Sequence, residues 1–116
     1  MVVIRIVANL PAAEPSATVD FYRALLGLDV VMDHGWIVTL AGKAEMTVQL
    51  SIASEGGSGT PVPDISVEVD DVNAVFARAV DAGHEIAYPL TDEPWGVRRF
   101  YVRDPAGNLV NILEHN

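Results

Sequence analysis

Cysteine is absent from this chain. That excludes disulfides, thiolate metal sites and a cysteine nucleophile, and it fits a reducing cytosol, so the expected location is cytoplasmic. Positive charge is scarce as well: 7 lysines and arginines face 16 acidic residues, leaving a net charge of −9. A nucleic-acid partner is thereby disfavoured, because such a binder needs a basic footprint. The acidity reads first as solubility and second as attraction for a cationic ligand. No apolar run is long enough for a membrane span. The start, Met1–Leu10, is interrupted by Arg5, stopped by Pro11 and lacks a signal-peptide cleavage pattern, so it reads as a strand. A phosphate-binding loop is missing too, since Gly56-Gly57-Ser58-Gly59 lacks the following lysine and helix. There is no Ser-His-Asp arrangement.

What the chain does contain is repetition. Phe21-Tyr22-Arg23-Ala24 returns as Phe76-Ala77-Arg78-Ala79, each copy running to a glycine, Gly27 or Gly83. Apolar strand-like segments precede the copies at Val2–Ala8 and Ile65–Val69. Others follow: Leu28–Val31, Trp36–Leu40 and Met46–Ile52, then Glu85–Tyr88, Arg99–Arg103 and Leu109–Leu113. Self-similarity of this kind marks a duplicated unit, here β-α-β-β-β used twice in 116 residues. The division is a first module at 1–53, a glycine- and proline-rich connector at 54–63 that reads as flexible, and a second module at 64–116. Halves of about 60 residues are marginal alone, so they are expected to share a core or to pair with a second chain.

Helical spacing places Val19, Tyr22 and Leu26 on one stripe and Val72, Val75, Phe76 and Ala79 on the other. Pro15 suits a first helical turn, Asp70 or Asp71 can cap the second helix, and Gly27 and Gly83 suit the ends. In the strands, alternation sets Ile4 and Ile6 against Arg5, Val7 and Asn9, and Val48, Leu50 and Ile52 against Thr47, Gln49 and Ser51. Likewise Ile65 and Val67 oppose Asp64, Ser66 and Glu68, and Val110 and Ile112 oppose Asn111. The polar faces are either solvated or the lining of a cleft.

The tandem pattern, FYRALLGL at 21–28 and PWGVRRFYVRDPAGNLVNILE at 94–114 together resemble the vicinal oxygen chelate superfamily of glyoxalases, extradiol dioxygenases and bleomycin-resistance proteins. Asn9-Leu10-Pro11 is similar to a segment of its antibiotic-resistance-like branch. The resemblance implies an α+β fold in which two β-α-β-β-β modules form a U-shaped cleft, and a homodimer, often with exchanged modules. Enzymes of this group hold a divalent metal on the first and fourth strands of each module, positions occupied here by Val7, Gln49, Asp64 and Asn111. One apolar residue, two neutral amides and one carboxylate make a poor metal set, so no metal cofactor is expected. His34, His84 and His115 fall elsewhere and read as surface residues.

The remaining cleft candidates are Arg5, Asn9, Gln49, Ser51, Asp64, Ser66, Glu68 and Asn111, with Trp36, Trp95 and Tyr101 as aromatic walls. Trp95 reads as a ligand-stacking ring or as loop packing, and Trp36 reads also as a core residue. Arg98 and Arg99 are consecutive, so only one of them faces the cleft. The expected function is binding of a small organic molecule, in its most concrete form sequestration of a cationic aromatic antibiotic without catalysis. The alternatives are a divalent-metal-dependent lyase or dioxygenase using Gln49, Asp64, Asn111 and water, and a binding module whose ligand regulates a partner.

Overall fold

The computed structural model describes residues 1–47 and 49–116. Helix α1 (Pro15–Leu26) leads into a hairpin of β1 (Asp29–Asp33) and β2 (Val38–Ala41). Strand β3 (Ile65–Glu68), helix α2 (Val72–Asp81) and strands β4 (Ile86–Asp92), β5 (Val97–Arg103) and β6 (Leu109–His115) follow. The second half closes into a four-stranded sheet of order β3-β6-β5-β4, with β3 parallel to β6 and the other pairs antiparallel.

Local chemistry accounts for both helices. Pro15 occupies the first turn of α1, and Gly27 ends it at φ 67°, its N–H bonded to the Arg23 carbonyl at 3.0 Å. At the start of α2 the Asp71 carboxylate accepts from the Ala74 N–H at 3.1 Å, while Glu114 of β6 accepts from the Val72 N–H at 3.0 Å. Two carboxylates thus satisfy donors that the first turn leaves free. At its other end the Gly83 N–H bonds the Val80 carbonyl and the His84 N–H bonds that of Ala79, a reverse closure that needs a positive φ at Gly83, here 75°.

The core is common to both halves. Phe21, Tyr22 and Leu25 of α1 pack in one cluster with Val72, Val75 and Ala79 of α2, Phe100 and Val102 of β5, and Val110 and Ile112 of β6. The buried stripe of α1 is therefore Thr18, Phe21, Tyr22 and Leu25, with Val19 and Leu26 on its flanks. Phe76 lies half-buried beside the cluster, its ring edge-on to Phe100 at 5.1 Å.

A second joint ties the halves through the turn after β5. The buried Asp104 carboxylate accepts from the Tyr22 hydroxyl at 2.8 Å, from the Ala106 and Asn108 N–H groups, and from Asn108 Nδ2. Asn108 Nδ2 also donates to the Pro11 carbonyl at 3.1 Å. Burial first, then this bond and the negative charges of Asp104 and Asp64, hold the Tyr22 phenol far above the usual tyrosine range.

Two expected strands are not formed. Residues 2–8 and the described part of 46–52 have no ladder partner, and Val48 lies outside the described residues. Their apolar side chains stand in solvent: Ile4 is 86% exposed, Leu50 74% and Ile52 88%. In the second half β6 lies between β3 and β5; the corresponding place in the first half, beside β2, holds no strand among the described residues. A strand forms only where a neighbouring edge takes its N–H and C=O groups, and these two segments find none in one chain.

Candidate functional site

The four-stranded sheet has a helix-covered face and an open one. Phe100, Val102, Val110 and Ile112 point to the core, so the intervening residues Arg99, Tyr101 and Asn111 lie on the opposite face, with Tyr101 and Asn111 paired across β5 and β6. Arg99 is its centre. Its guanidinium is 4% exposed and its Nη2 lies 2.8 Å from Glu93 Oε2, in a side chain 2% exposed. Arg99 Nε donates to the same oxygen at 3.0 Å. Rings of Tyr88, Trp95 and Tyr101 surround Arg99 Cζ at 5.3, 5.0 and 5.0 Å. This is a desolvated ion pair in an aromatic box, which needs its remaining donors satisfied to be tolerated.

The connector supplies them. Arg99 Nη1 donates to the Gly56 carbonyl at 2.8 Å and Nη2 to that of Gly57 at 3.2 Å. Ser58 donates to Glu93 Oε2 at 3.0 Å, and Tyr88 donates to Oε1 at 3.1 Å. Thr60 Oγ1 donates to the Gly57 carbonyl at 2.7 Å, which leaves the Tyr101 hydroxyl as donor in the 2.9 Å bond between them. A side chain at Gly56 would strike Pro61, Thr60 and Tyr101. The connector is not unattached: Arg99 and Tyr101 bond residues 56–61 across the open face.

Below this lies an unmatched acceptor. Asn111 is 7% exposed, and its Nδ2 donates to Ser66 Oγ at 3.1 Å. Its Oδ1 is buried with no hydrogen-bond partner, a costly arrangement for a polar atom.

The expected cleft residues divide into three groups. Ser66, Glu68, Tyr101 and Asn111 share the open face, with Asp64 at its edge and Trp95 at its end. Asp64 is spent on the backbone, accepting from the Leu109 N–H at 2.7 Å, and Glu68 pairs with His115 at 2.8 Å. Asn9 and Trp36 instead border a separate apolar groove of ≈ 770 Å³ beside α1, with Leu10, Tyr22, Leu40 and Ile65 among its walls. Trp36 is 80% exposed, which overturns its reading as a core residue. Arg5, Gln49 and Ser51 are exposed in the unpaired segments and are not gathered with the rest. Among the histidines, His84 is half-buried with its ring 4.6 Å from that of Phe21, a correction to its reading as a surface residue.

Sequence reasoning passed over Tyr88, Glu93, Ser58 and Thr60. The available clue was Arg99 alternating with Tyr101 against Phe100 and Val102, because a buried arginine requires a carboxylate nearby. Arg98, on the other face, bonds Asp92 at 3.0 Å and Asn73 at 2.9 Å.

The donors at the family's metal positions do not fit a divalent ion. Val7 offers none, one Asp64 oxygen is taken by the Leu109 N–H, Asn111 has only a neutral amide oxygen to give, and Gln49 lies in the unpaired segment. Among the described residues no three His, Cys, Asp or Glu side chains gather to hold one.

Comparison with known proteins sets this geometry in context. A Mycobacterium bovis protein of uncharacterised function is 46% identical over 50 residues, a match covering 43% of this chain and 32% of that one. The chain thus spans about a third of the length of the curated relatives it matches. Among solved structures, TioX from Micromonospora sp. ML1 is 26% identical with a TM-score of 0.65, covering 97% of this chain and 96% of that one. TnmS3, an antibiotic binding protein from Streptomyces sp. CB03234, is 23% identical with a TM-score of 0.66, covering 92% and 91%, a likeness of fold. A family model matches residues 4–112, and the chain belongs to the Glyoxalase/Bleomycin resistance protein/Dioxygenase superfamily.

Proposed function

We propose that this protein binds a small organic molecule on the open face of its four-stranded sheet and sequesters it without catalysis. An aromatic, cationic antibiotic is the most concrete ligand. One observation carries the reading: the buried Asn111 Oδ1 has no partner, beside an aromatic box. A buried acceptor left open beside flat apolar walls suits a ligand N–H or O–H better than it suits stability. The net charge of −9 favours encounter with a cation, and TnmS3 binds an antibiotic on the same fold. Nothing in the site supplies a free general base, since Asp64, Glu68 and Glu93 are each paired.

The working form in this reading is a cytoplasmic homodimer, in which a second chain covers the exposed apolar side chains of residues 2–8 and of Met46, Leu50 and Ile52. No helix of the described residues is long and apolar enough to cross a membrane.

The test is a titration with proflavine, a flat cation, followed through tryptophan fluorescence, for the wild type and Asn111→Leu. Wild type is expected to bind at micromolar concentration and to release proflavine chemically unchanged. Asn111→Leu should bind at least about tenfold more weakly while folding as stably or more so. Absence of proflavine binding defeats the cationic form of the reading, and equal binding by both proteins removes Asn111 from the site.

A further inference from the structure

Residues 56–61 lie where a ligand of the open face would have to lie. They bond Arg99 and Tyr101, the latter the cross-strand neighbour of Asn111, yet none of them is buried. The segment has three consecutive residues at positive φ, Gly57 at 84°, Ser58 at 51° and Gly59 at 75°, the middle one not a glycine. That conformation is disfavoured for serine and is held by bonds within the segment, between Gly56, Gly57 and Thr60, and by the bonds to Arg99, Glu93 and Tyr101. A stretch with no buried apolar side chain and strained backbone opens at low cost relative to the core beneath it.

We propose that residues 56–61 are a displaceable strap acting as a built-in ligand, and that the molecule replacing it presents to the floor an uncharged aromatic portion whose carbonyl oxygens take Arg99. This rests on the small-molecule reading above and specifies the part of the ligand that touches the floor. Arg99 presents Nη1 and Nη2 to two carbonyl oxygens, those of Gly56 and Gly57, so a replacement must bring acceptors of the same kind. Its charge is already matched by Glu93 at 2.8 Å, and a charged group there would leave a desolvated excess. Trp95, 50% exposed, closes against the strap, since a Cβ on Gly57 would come 2.7 Å from its Cη2. Lifting the strap bares that ring for stacking and opens Asn111 Oδ1 to a ligand N–H. Any cationic substituent of the same ligand stays in water at the rim, where Glu68 is exposed.

Two measurements test this. The first is amide hydrogen exchange of Gly56 and Thr60, whose N–H groups bond within the strap at 2.8 and 3.0 Å. They are expected to exchange at least about a hundredfold faster than the β5 and β6 amides. Exchange only through global unfolding makes the strap a fixed wall and overturns the proposal. The second is a titration of wild type and Gly57→Ala with α-aminoanthraquinone and with α-aminoanthracene, which has the same rings without carbonyls. Loosening the strap should tighten anthraquinone binding by about tenfold and leave anthracene binding weak in both proteins. Should Gly57→Ala fail to fold, Thr60→Val, which cuts the hydroxyl link to Tyr101, gives the same comparison. Weaker or unchanged anthraquinone binding in the loosened variant overturns competition by the strap. If anthracene or proflavine binds as well as the anthraquinone, small-molecule binding stands and this inference falls. If none of the three binds either protein, both fall.

Discussion

Tyr22 and Asp104 make the tightest single joint between the halves, 82 residues apart in sequence. Tyr22→Phe deletes a hydrogen bond to a charged acceptor and is expected to cost about 1.5–3 kcal/mol near neutral pH, read from denaturant unfolding. The loss depends on pH in a definite direction. An unfolded tyrosine ionises near about pH 10, whereas burial and Asp104 keep the folded one protonated well above that. Above that pH the folded state holds the extra proton, so wild-type stability falls as pH rises, while below it the contribution is constant. The gap between wild type and Tyr22→Phe should therefore narrow between about pH 8 and about pH 11; a constant gap contradicts this account. Residue roles of this kind were only half legible in the sequence. The turn Asp104-Pro105-Ala106-Gly107 was evident, but its grip on Tyr22 and Pro11 is long-range and has no local signature.

Among the elements, the helices were readable because their determinants are local: apolar spacing, a proline at the start, a glycine at the end. Asp71, one of two candidate caps, takes the role in α2 because its side chain reaches the Ala74 N–H. Asp71→Ala should lower stability by about 1 kcal/mol, seen as a shift in urea midpoint with unchanged slope, because Glu114 still holds the Val72 N–H. A change in slope would place the effect in the denatured state instead. Strands were less readable. Alternation along 2–8 and 46–52 is as regular as along β6, yet of these three segments β6 alone has neighbouring strands among the described residues. Periodicity names the face a segment wants to bury, and the partner strand decides whether it is buried. The connector's attachments were illegible for a similar reason. Glycine and serine suggest freedom, and the bonds that engage the segment come from Arg99 and Tyr101, some 40 residues on.

At the scale of the molecule, the apolar segments flanking the open β2 edge predict self-association. Light scattering should give twice the monomer mass at micromolar concentration, and the melting temperature should rise with protein concentration. Leu50→Asp together with Ile52→Asp, both in a segment now facing water, should shift the protein to monomer and lower that temperature; a wild type that stays monomeric at every concentration refutes the cover proposed above.

The core has a further consequence for how the duplication is understood. Helix α1 belongs by sequence to the first repeat, yet its Phe21, Tyr22 and Leu25 are packed into the apolar cluster of the second. The ancestral unit visible in the sequence and the cooperative unit of the present molecule are therefore different objects. Divergence at 21–26 is constrained by α2 and the shared cluster as well as by β2 of its own repeat.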